Sequence, residues 1–473
     1  MRSSSPDAAT ASSVRSRLLI FLIAGAMFME NLDGTIITTA LPVMARSFAR
    51  SAVDLNIGVS AYLLALGTLI PASSWVADRF GTRRTLVLAI LVFTFASLLC
   101  GAAQNLAQFV AARVLQGTGG AMMVPVGRLI VLRHTPEERL MDAMATLVWP
   151  ALIAPVLGPP LGGFIVVHAD WRWIFYLNLP LGLIAAAATL RLVPDLRSPA
   201  RLPFDWLGFI LCGVGVYGLM AGMDRVVDRA DAVSVGLILL GAGSLAMAVR
   251  HFRRARHPMI DLSAFRFPTF RAAMRGGSLS RMAIGSAPFL LPLLFQVGFG
   301  FDAQTAGLLM LGVFGANLGM KAVTSGILRR AGFRSVLLVS GLLCSLSLAA
   351  CAMLTARTAL PLIVLVLLLG GATRSMQFST LTMISFADLP KPLMSGANAL
   401  ASTIGQLSLG AGITLGAMSI RLGAPLGLAI GARPAAAAYA GAFLIVAAVS
   451  AVGALEALRL PYDAGRRFAG AVR

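Results

Sequence analysis

The chain has 473 residues, of which 58% are hydrophobic and only 12% are charged, and its formal net charge is +20. Soluble domains contain about a quarter charged residues, so this composition argues against a water-soluble enzyme and predicts one membrane-embedded body. The basic residues are scattered over short connections and form no stripe with aromatic residues, so we expect them to orient the chain in a bilayer and not to bind nucleic acid.

The first apolar stretch follows a tail at 1–17 that contains Arg15 and Arg17. The stretch is long and no small-residue cleavage site follows it, so we predict an uncleaved first span and not a signal peptide. About 20 apolar residues cross the hydrocarbon, and continuous apolar runs favour helices because lipid offers backbone groups no partner. The runs predict an all-α membrane protein with fourteen transmembrane helices, at 18–41, 57–77, 85–103, 107–132, 142–167, 171–192, 205–223, 233–250, 274–297, 303–325, 335–356, 359–387, 394–420 and 436–458.

Arginine and lysine alternate between the predicted connections. The N-terminus and every second connection hold about 25 of them, whereas the other connections hold about 8. Because cytoplasmic loops carry the excess of positive charge, this alternation predicts an even number of spans with both termini in the cytoplasm.

Span 1 carries Glu30 and Asp33, which are three residues apart and lie on adjoining parts of one helical face. An ionised group inside hydrocarbon costs about 2.5–3.5 kcal/mol on lenient scales, so it is a functional candidate. With a rise of about 1.5 Å per residue, Asp33 lies about 12 Å, and Arg113 of span 4 about 9 Å, below the same membrane surface. We expect the two to couple: proton binding to Asp33 weakens the pair, and a cationic substrate competes for its charge. A static salt bridge that fixes helix packing is the alternative.

The connection between spans 2 and 3 is a tight basic turn that contains Asp78, Arg79, Gly81 and Arg83. Gly81 permits backbone angles that other residues avoid, and Asp78 can face a helix end or an arginine. We predict that charge pairs here latch the outward-open state and break on inward opening. The alternative is that the arginines only anchor the loop on the cytoplasmic side.

Span 5 combines prolines, which kink helices, with small residues, which allow helices to approach closely. The relevant residues are Gly158, Pro159, Gly162 and Gly163. By packing alone they favour a close approach of neighbouring helices.

Further embedded residues are candidates for lining a substrate cavity, although polar side chains also link helices by hydrogen bonds and methionine suits adaptable apolar pockets. These candidates are Gln116, Met123, Arg374, Gln377, Asn398 and Gln406.

The chain contains an internal repeat. Segment 77–83 reappears as 328–334 with an Arg-x-Gly-x-Arg pattern at an offset of 251, and the same offset places Gly119-Gly120 onto Gly370-Gly371. Repeated halves are typical of transporters. The predicted organisation is a tail, a six-helix bundle, a connector with two extra helices and a basic loop, a second six-helix bundle and a tail, at 1–17, 18–192, 193–273, 274–458 and 459–473.

The repeat gives Glu30 two interpretations. The offset places Arg281 of span 9 at the corresponding position, so Glu30 is either a proton or cation site or one half of a structural pair between the two halves.

Four motifs carry a family resemblance. Together they resemble the major facilitator superfamily, and more closely its fourteen-span drug/proton antiporters. The resemblance implies two six-helix bundles plus two linker helices, and proton-coupled export by alternating access from a bacterial cytoplasmic membrane. For the glycines and prolines of span 5 it implies a seal against proton leak between two states, with ordinary close packing as the alternative. The motifs are Asn31 to Pro42 in span 1, Trp75 to Arg84 between spans 2 and 3, Arg113 to Gly117 in span 4, and Gly158 to Gly163 in span 5, followed by Asn178-Leu179-Pro180.

Several other activities lack their sequence signatures. No nucleotide-binding Gly-x-x-x-x-Gly-Lys motif occurs, which argues against ATP as the energy source. The four cysteines and four histidines lack metal-ligand spacing, and no nucleophile elbow occurs. We therefore expect a transporter that is not an enzyme, needs no metal or other cofactor and uses the proton gradient.

The expected partners are a small molecule, as a hydrophobic cation or neutral amphiphile, together with protons and the lipid bilayer. A proton-coupled symporter or facilitator for a metabolite is the second hypothesis. A membrane scaffold or sensor without transport is the third.

Overall fold

The structure is a computed structural model that describes residues 6–135, 137–195, 203–228, 231–390 and 393–460. Over these ranges the regular secondary structure is helical. The helices are α1 (Pro6–Ser47), α2 (Asn56–Phe80), α3 (Thr82–Ala102), α4 (Leu106–His134), α5 (Glu137–His168), α6 (Trp173–Tyr176), α7 (Asn178–Leu192), α8 (Trp206–Asp228), α9 (Ala232–Phe252), α10 (Pro268–Leu293), α11 (Ala303–Ala331), α12 (Phe333–Ala352), α13 (Leu360–Phe386), α14 (Met394–Ala429) and α15 (Pro434–Leu455).

The predicted all-α membrane fold is confirmed. Thirteen helices of the described ranges are long and apolar enough to cross a membrane. The span predicted at 142–167 falls in α5, which has 32 residues and an apolar section at Leu152–His168. At about 1.5 Å per residue, α5 is longer than a crossing requires.

Some helices extend beyond the predicted spans. Helix α10 begins at Pro268, before the span predicted at 274–297, and includes Arg271. Helix α14 continues through Arg421 to Ala429, beyond the predicted end at 420. Long basic side chains can lie along an apolar helix and extend their charge outward, so a helix need not stop at an arginine.

The same packing pattern occurs twice. Helix α1 packs on α5 as α10 packs on α14, α2 packs on α4 as α11 packs on α13, and α3 packs on α4 and α7 as α12 packs on α13 and α15. Gly81 and Gly332, which the repeat predicted to correspond, have φ of 96° and 75° in the turn between the second and third helices of each set. We call α1–α7 the first bundle and α10–α15 the second bundle. Helices α8 and α9 form a hairpin that packs on α2 and α14.

The two bundles share one buried apolar cluster at one end and have separate clusters at the other. At the distal end, one buried apolar cluster contains residues of both bundles, including Ile37 and Phe443. At the terminal end, where α1 begins and α15 ends, two separate clusters form, one around Leu19 and one around Leu460. The interior between the bundles is therefore closed at the distal end.

Polar contacts also cross between the bundles at the distal end, and we call them the distal seam. They are Asp54 to Arg421 Nη2 at 3.4 Å, Ser60 Oγ to Thr414 Oγ1 at 3.4 Å, and Gln296 Nε2 to the carbonyl of Thr39 at 3.0 Å.

Candidate functional site

Helices α1 and α4 bring Asp33 and Arg113 into direct contact. Arg113 Nη1 lies 2.6 Å from Asp33 Oδ2, and both side chains are fully buried. The start of α4 is fixed by Asn105, whose side chain accepts a hydrogen bond from the backbone N–H of Gln108 at 2.9 Å. The sequence placed the two charges at similar depths below one membrane surface, and the structure has them in contact. Removing one partner would leave the other as an unpaired buried charge.

The second oxygen of Asp33 is also fully engaged. Gln116 Nε2 and Asn178 Nδ2 donate to Oδ1 at 2.8 and 2.9 Å. Both amides also donate to Ser97 Oγ, at 2.8 and 3.2 Å. Asn178 is the first residue of α7, so the break between α6 and α7 places its side chain in the bundle interior. We call Asp33, Arg113, Gln116, Asn178 and Ser97 the Asp33 cluster.

Asp33 acts as a hydrogen-bond acceptor throughout the Asp33 cluster. Asp33 accepts three hydrogen bonds from side chains, and an ionised carboxylate is purely an acceptor. Protonation would add one O–H donor to this acceptor and remove the negative charge that faces Arg113.

Gln116 lies inside the Asp33 cluster, and its predicted role in a cavity stays a prediction. It follows Arg113 by one helical turn and so shares its face of α4. Its Oε1 accepts from Arg113 Nη1 at 2.6 Å and from Cys100 Sγ at 3.6 Å. Gln116 thus holds the arginine and the aspartate at the same time.

Glu30 lies one turn before Asp33 and is almost completely buried. Its Oε2 has no hydrogen-bond partner, and the charges of Arg128 and Asp33 act on it. The alternative pair with Arg281 is not formed among the described residues, because Arg281 Nη1 donates to the carbonyl of Ala273 at 3.1 Å. The interpretation of Glu30 as a structural partner of Arg281 therefore fails in this conformation.

The turn between α2 and α3 docks on the end of α7. A side chain at Gly81 would collide with the carboxylate of Asp195, so both its positive φ and this close approach require glycine. Arg84 Nε lies 3.8 Å from Asp195 Oδ2, and Thr82 donates to the carbonyl of Pro194 at 3.3 Å. Sequence reasoning missed Asp195 because it lies in a connection without a motif.

The remaining residues of the predicted gating motif flank this contact. Asp78 and Arg83 are half-buried, and Arg79 is exposed. The latch role predicted for them stays a prediction.

The span 5 glycines allow α5 to lie directly on α1. A side chain at Gly158 would collide with Thr35, and one at Gly162 would collide with the carbonyl of Ile36. Both contacts lie within the first bundle and follow Asp33 along α1 by one turn or less.

The same motif also contacts the second bundle. A side chain at Gly163 would collide with the carbonyl of Ala303, and one at Gly307 would collide with the carbonyl of Pro159. Thr39 Oγ1 of α1 donates to the carbonyl of Pro159 at 3.2 Å. Helices α1, α5 and α11 therefore meet at the distal end with backbone against backbone.

Three other predicted cavity residues are buried inside the bundles and act as helix contacts. Arg374 Nη2 donates to the carbonyl of Ile284 at 2.8 Å, and Gln377 Oε1 accepts from Ser340 Oγ at 2.7 Å. Met123 is buried in the apolar cluster of the first bundle. Polar groups in a bundle interior also pair with neighbouring helices, and the role of these three residues in a cavity stays a prediction.

The last two predicted cavity residues are more accessible. Asn398 is exposed and Gln406 is half-buried, both on α14. Their role in a cavity stays a prediction.

A cavity of about 360 Å³ lies between α2, α4 and α8. Its lining is mostly apolar and includes Leu64, Val114 and Tyr217, with Asn56 and Ser60 among the polar groups. None of the predicted cavity residues lines it. Sequence reasoning missed it because its lining residues are ordinary apolar residues, and the packing of α8 against α2 has no sequence motif.

Two similarly packed helical bundles that contain a buried acid–base pair are typical of a membrane transporter. The chain belongs to the Major Facilitator Superfamily, whose family model matches residues 23–413. The predicted family is thereby confirmed. The protein is a multi-pass membrane transporter of a small molecule, and it is not an enzyme.

Relatives and solved structures agree with this assignment. Over 455 residues the chain is 37% identical to a Klebsiella pneumoniae protein named "Putative multidrug resistance protein MdtD", with 95% of this chain and 96% of the relative covered. A D-xylose–proton symporter shares the fold at 16% identity, with a TM-score of 0.67 over 96% of this chain and 99% of the symporter. A bacterial homologue of the human lysosomal transporter Spinster, solved in an inward-facing and unoccupied conformation, shares it at 14% identity, with a TM-score of 0.66 over 96% and 98%.

Proposed function

We propose that this transporter exports amphipathic small molecules in exchange for protons, and that Asp33 is the site at which the proton is exchanged. The observation that carries the proposal is the buried carboxylate of Asp33, with both oxygens held by side chains of other helices. Ionisable groups inside a membrane are costly, and they mark proton and ion pathways. No cofactor enters the proposal, since the electrical part of the gradient alone supplies about 2.3 kcal/mol per charge per 100 mV.

Protonation of Asp33 changes the contact between α1 and the rest of the first bundle. An uncharged Asp33 no longer attracts Arg113, which retains its hydrogen bond to Gln116 at 2.6 Å. The arginine can therefore stay on α4 while α1 is released. A ligand shifts a conformational equilibrium only by its difference in affinity for the two states. In this proposal the proton binds Asp33 more tightly when α1 is released from Arg113 than when the two are paired.

Helix α1 links the Asp33 cluster to the distal seam. Thr35 and Ile36 lie against the glycines of α5. One turn further, Thr39 contacts Pro159 of α5 and its carbonyl accepts from Gln296 of the second bundle. A shift of α1 upon protonation therefore reaches the contacts that close the bundles against each other.

The proposed cargo is a hydrophobic cation or a neutral amphiphile. The name of the Klebsiella relative refers to multidrug resistance. The apolar cavity beside α8 has a volume within the usual range of about 300–1,000 Å³ for small-molecule sites. We further propose the bacterial cytoplasmic membrane as the location, with both termini cytoplasmic. The terminal end then faces the cytoplasm.

Transport by purified protein in liposomes tests the proposal, with the lipophilic cation ethidium as the probe. Wild type should move ethidium against its gradient when a pH gradient is imposed. Asp33→Asn keeps the shape of the side chain and should lose this driven transport. Asp302→Asn is a matched control, because Asp302 caps α11 outside the hydrocarbon and asparagine caps equally well.

The direction of proton movement separates exchange from symport. In exchange, protons enter the compartment that ethidium leaves. In symport, protons and ethidium cross the membrane in the same direction. Unchanged driven transport in Asp33→Asn, or co-directional movement in wild type, would overturn the proposal.

A further inference from the structure

The apolar cavity between α2, α4 and α8 lies at membrane depth. Two of the large side chains in its lining are exposed, Tyr217 by 70% and Val114 by 44%. Exposed side chains at this depth face lipid, so the cavity opens toward the bilayer. Its lining residues all belong to apolar sections that can cross a membrane, namely Asn56–Ser73 of α2, Leu106–Val131 of α4, Trp206–Met223 of α8 and Gly396–Ala429 of α14.

The described residues that line this cavity include no charged side chain. A charged group moved into such a place loses its hydration and gains no counter-charge, which is costly. The aromatic rings of Phe209 and Tyr217, together with the aliphatic side chains, suit the apolar body of a ligand. The lining therefore favours an uncharged ligand over a permanent cation.

A chain of buried polar groups lies at the distal end of the cavity. Asn56 Oδ1 lies 3.4 Å from Ser60 Oγ, which lies 3.4 Å from Thr414 Oγ1, and all three residues are buried. Hydroxyl hydrogen bonds are usually about 2.5–3.0 Å long, so a polar atom of a ligand at that distance would satisfy these groups better. The cavity thus has an apolar body and a polar end, which matches an amphiphile.

The wall of the cavity also includes a contact of the distal seam. Thr414 belongs to the second bundle, whereas Ser60 belongs to the first, and both line the cavity. When the bundles part at the distal end, Thr414 leaves Ser60 and the wall becomes incomplete. A ligand of this cavity therefore binds more tightly while the distal end is closed.

We propose that this cavity, which we call the α8 site, binds an uncharged amphiphile drawn from the bilayer, with its polar atom at Ser60 and Thr414 and its apolar body along α8. The proposal deepens the proposed function and rests on it for the export of the bound molecule. Binding while the distal end is closed, followed by release when it opens, is the order that export requires. A cationic cargo is not assigned to this site.

A phospholipid acyl chain is the other candidate occupant, because acyl chains surround the open side of the cavity. An acyl chain carries no polar atom that could meet the hydroxyl groups of Ser60 and Thr414. An amphiphile accounts for both the apolar lining and the polar end.

Photolabelling with benzophenone tests the α8 site. Benzophenone is an uncharged ketone with two aromatic rings, and on irradiation it labels neighbouring C–H bonds. The purified protein is irradiated in liposomes, and the labelled peptides are identified by mass spectrometry. Wild type should show saturable labelling of α2, α4 and α8 around the site. Labelling spread over all lipid-facing helices without saturation would show that only bilayer lipid occupies the cavity, and would overturn the proposal.

Two variants fill the cavity from opposite sides. The nearest contact of a methyl group at Gly213 would be Thr68 Cγ2 at 3.8 Å, so Gly213→Leu extends from α8 into open space. Ala61→Phe fills the cavity from α2. Each change should lower the saturable labelling about tenfold. Gly236→Leu and Ala242→Phe, at exposed positions of α9 outside the cavity, are the matched controls and should label as wild type does. Undiminished labelling in both filling variants would overturn the proposal.

A third variant tests the polar end. Thr414→Val keeps the shape of the side chain and removes the hydroxyl, so the ketone loses a donor and labelling should fall about fivefold. Thr118→Val is the matched control, because Thr118 also lines the cavity but its hydroxyl donates to the carbonyl of Val114 in its own helix at 3.0 Å. Equal labelling of these two variants would contradict the assigned polar end.

A quaternary ammonium derivative of benzophenone tests the ligand class. Its permanent charge should abolish saturable labelling of the α8 site, and equal labelling by the charged and uncharged probes would overturn the assignment of an uncharged ligand. These measurements need no proton gradient. Failure of the α8 site therefore leaves ethidium exchange at Asp33 standing, whereas unchanged driven transport in Asp33→Asn removes the proposed function, whatever the labelling shows.

Discussion

Arg374 Nη2 lies 2.8 Å from the carbonyl oxygen of Ile284, and Ile284 is the residue that the repeat offset of 251 places at the position of Asp33. The second bundle thus has a buried arginine at this place but no acid. Its arginine uses a backbone carbonyl, which does not titrate. The two bundles share a fold, and the ionisable pair belongs to the first bundle. Proton exchange is therefore expected to depend on the first bundle.

The buried pair makes Arg113 essential for stability as well as for transport. Arg113→Ala leaves the Asp33 charge buried and unpaired, which costs about 3–5 kcal/mol. We expect a clear loss of unfolding free energy in detergent, and no driven ethidium transport. Replacing both partners, by Asp33→Asn with Arg113→Gln, should restore most of the stability and none of the proton coupling. Arg433→Ala on the surface is the control. Equal instability of the single and double variants would contradict the pair's electrostatic role.

The closed distal end should open when the backbone contacts between α5 and α11 are overpacked. A valine at Gly163 collides with the carbonyl of Ala303, and such overpacking costs about 1–3 kcal/mol. A cost of this size shifts a two-state equilibrium about 5- to 150-fold. We expect Gly163→Val to raise the rate at which a water-soluble maleimide labels a cysteine introduced by Ser60→Cys.

Gly319→Val is the matched control for this prediction, because a methyl group at Gly319 meets nothing within 4 Å. It should leave the labelling rate unchanged. Slow labelling in Gly163→Val, equal to that of the control, would show that the α5 glycines do not hold the distal end closed.

The hairpin of α8 and α9 should become less stable in acid. Asp205, just before α8, accepts from the backbone of Gly208 and Met259 at 2.9 and 3.0 Å. His251 Nε2 lies 2.7 Å from its Oδ1. Burial alone would raise the pKa of Asp205, but these hydrogen bonds outweigh it and the pKa of this carboxyl is lowered.

A lowered pKa in the folded state stabilises the protein above the ordinary value of about 3.9 for aspartate. This contribution is lost as the pH falls from that value through the lowered one. We expect the melting temperature of wild type to fall between pH 6 and pH 3 by more than that of Asp205→Asn, which cannot titrate there. Equal pH dependence of the two proteins would contradict this account.

The sequence predicted the helices and the Asp33–Arg113 pair because both follow from the number of residues between fixed points of each span. Apolar runs set the spans, and the rise per residue sets the depth of the two charges. Ser97 and Asn178 were not predicted as site residues, although Asn178 lies in a recognised motif. Their roles depend on where α3 and α7 cross α1 and α4. A neutral side chain gives no sign of such a crossing.

For the predicted cavity residues, the sequence could not distinguish a cavity from a contact between helices. Gln116 and Arg374 are polar residues in apolar helices, which is typical both of cavities and of contacts between helices. Only the packing of the helices distinguishes the two, and here it places both residues inside the bundles. The small residues of span 5 were ambiguous for a similar reason, because the sequence does not show that Gly163 contacts α11 of the other bundle.

Proton release on binding of ethidium to the purified protein, followed with an indicator dye in weakly buffered detergent solution, tests the exchange role of Asp33 most directly. The account predicts that wild type releases protons when ethidium binds, and that Asp33→Asn binds ethidium and releases one proton fewer per bound molecule. Equal release by the two proteins, or binding to wild type without any release, would contradict it.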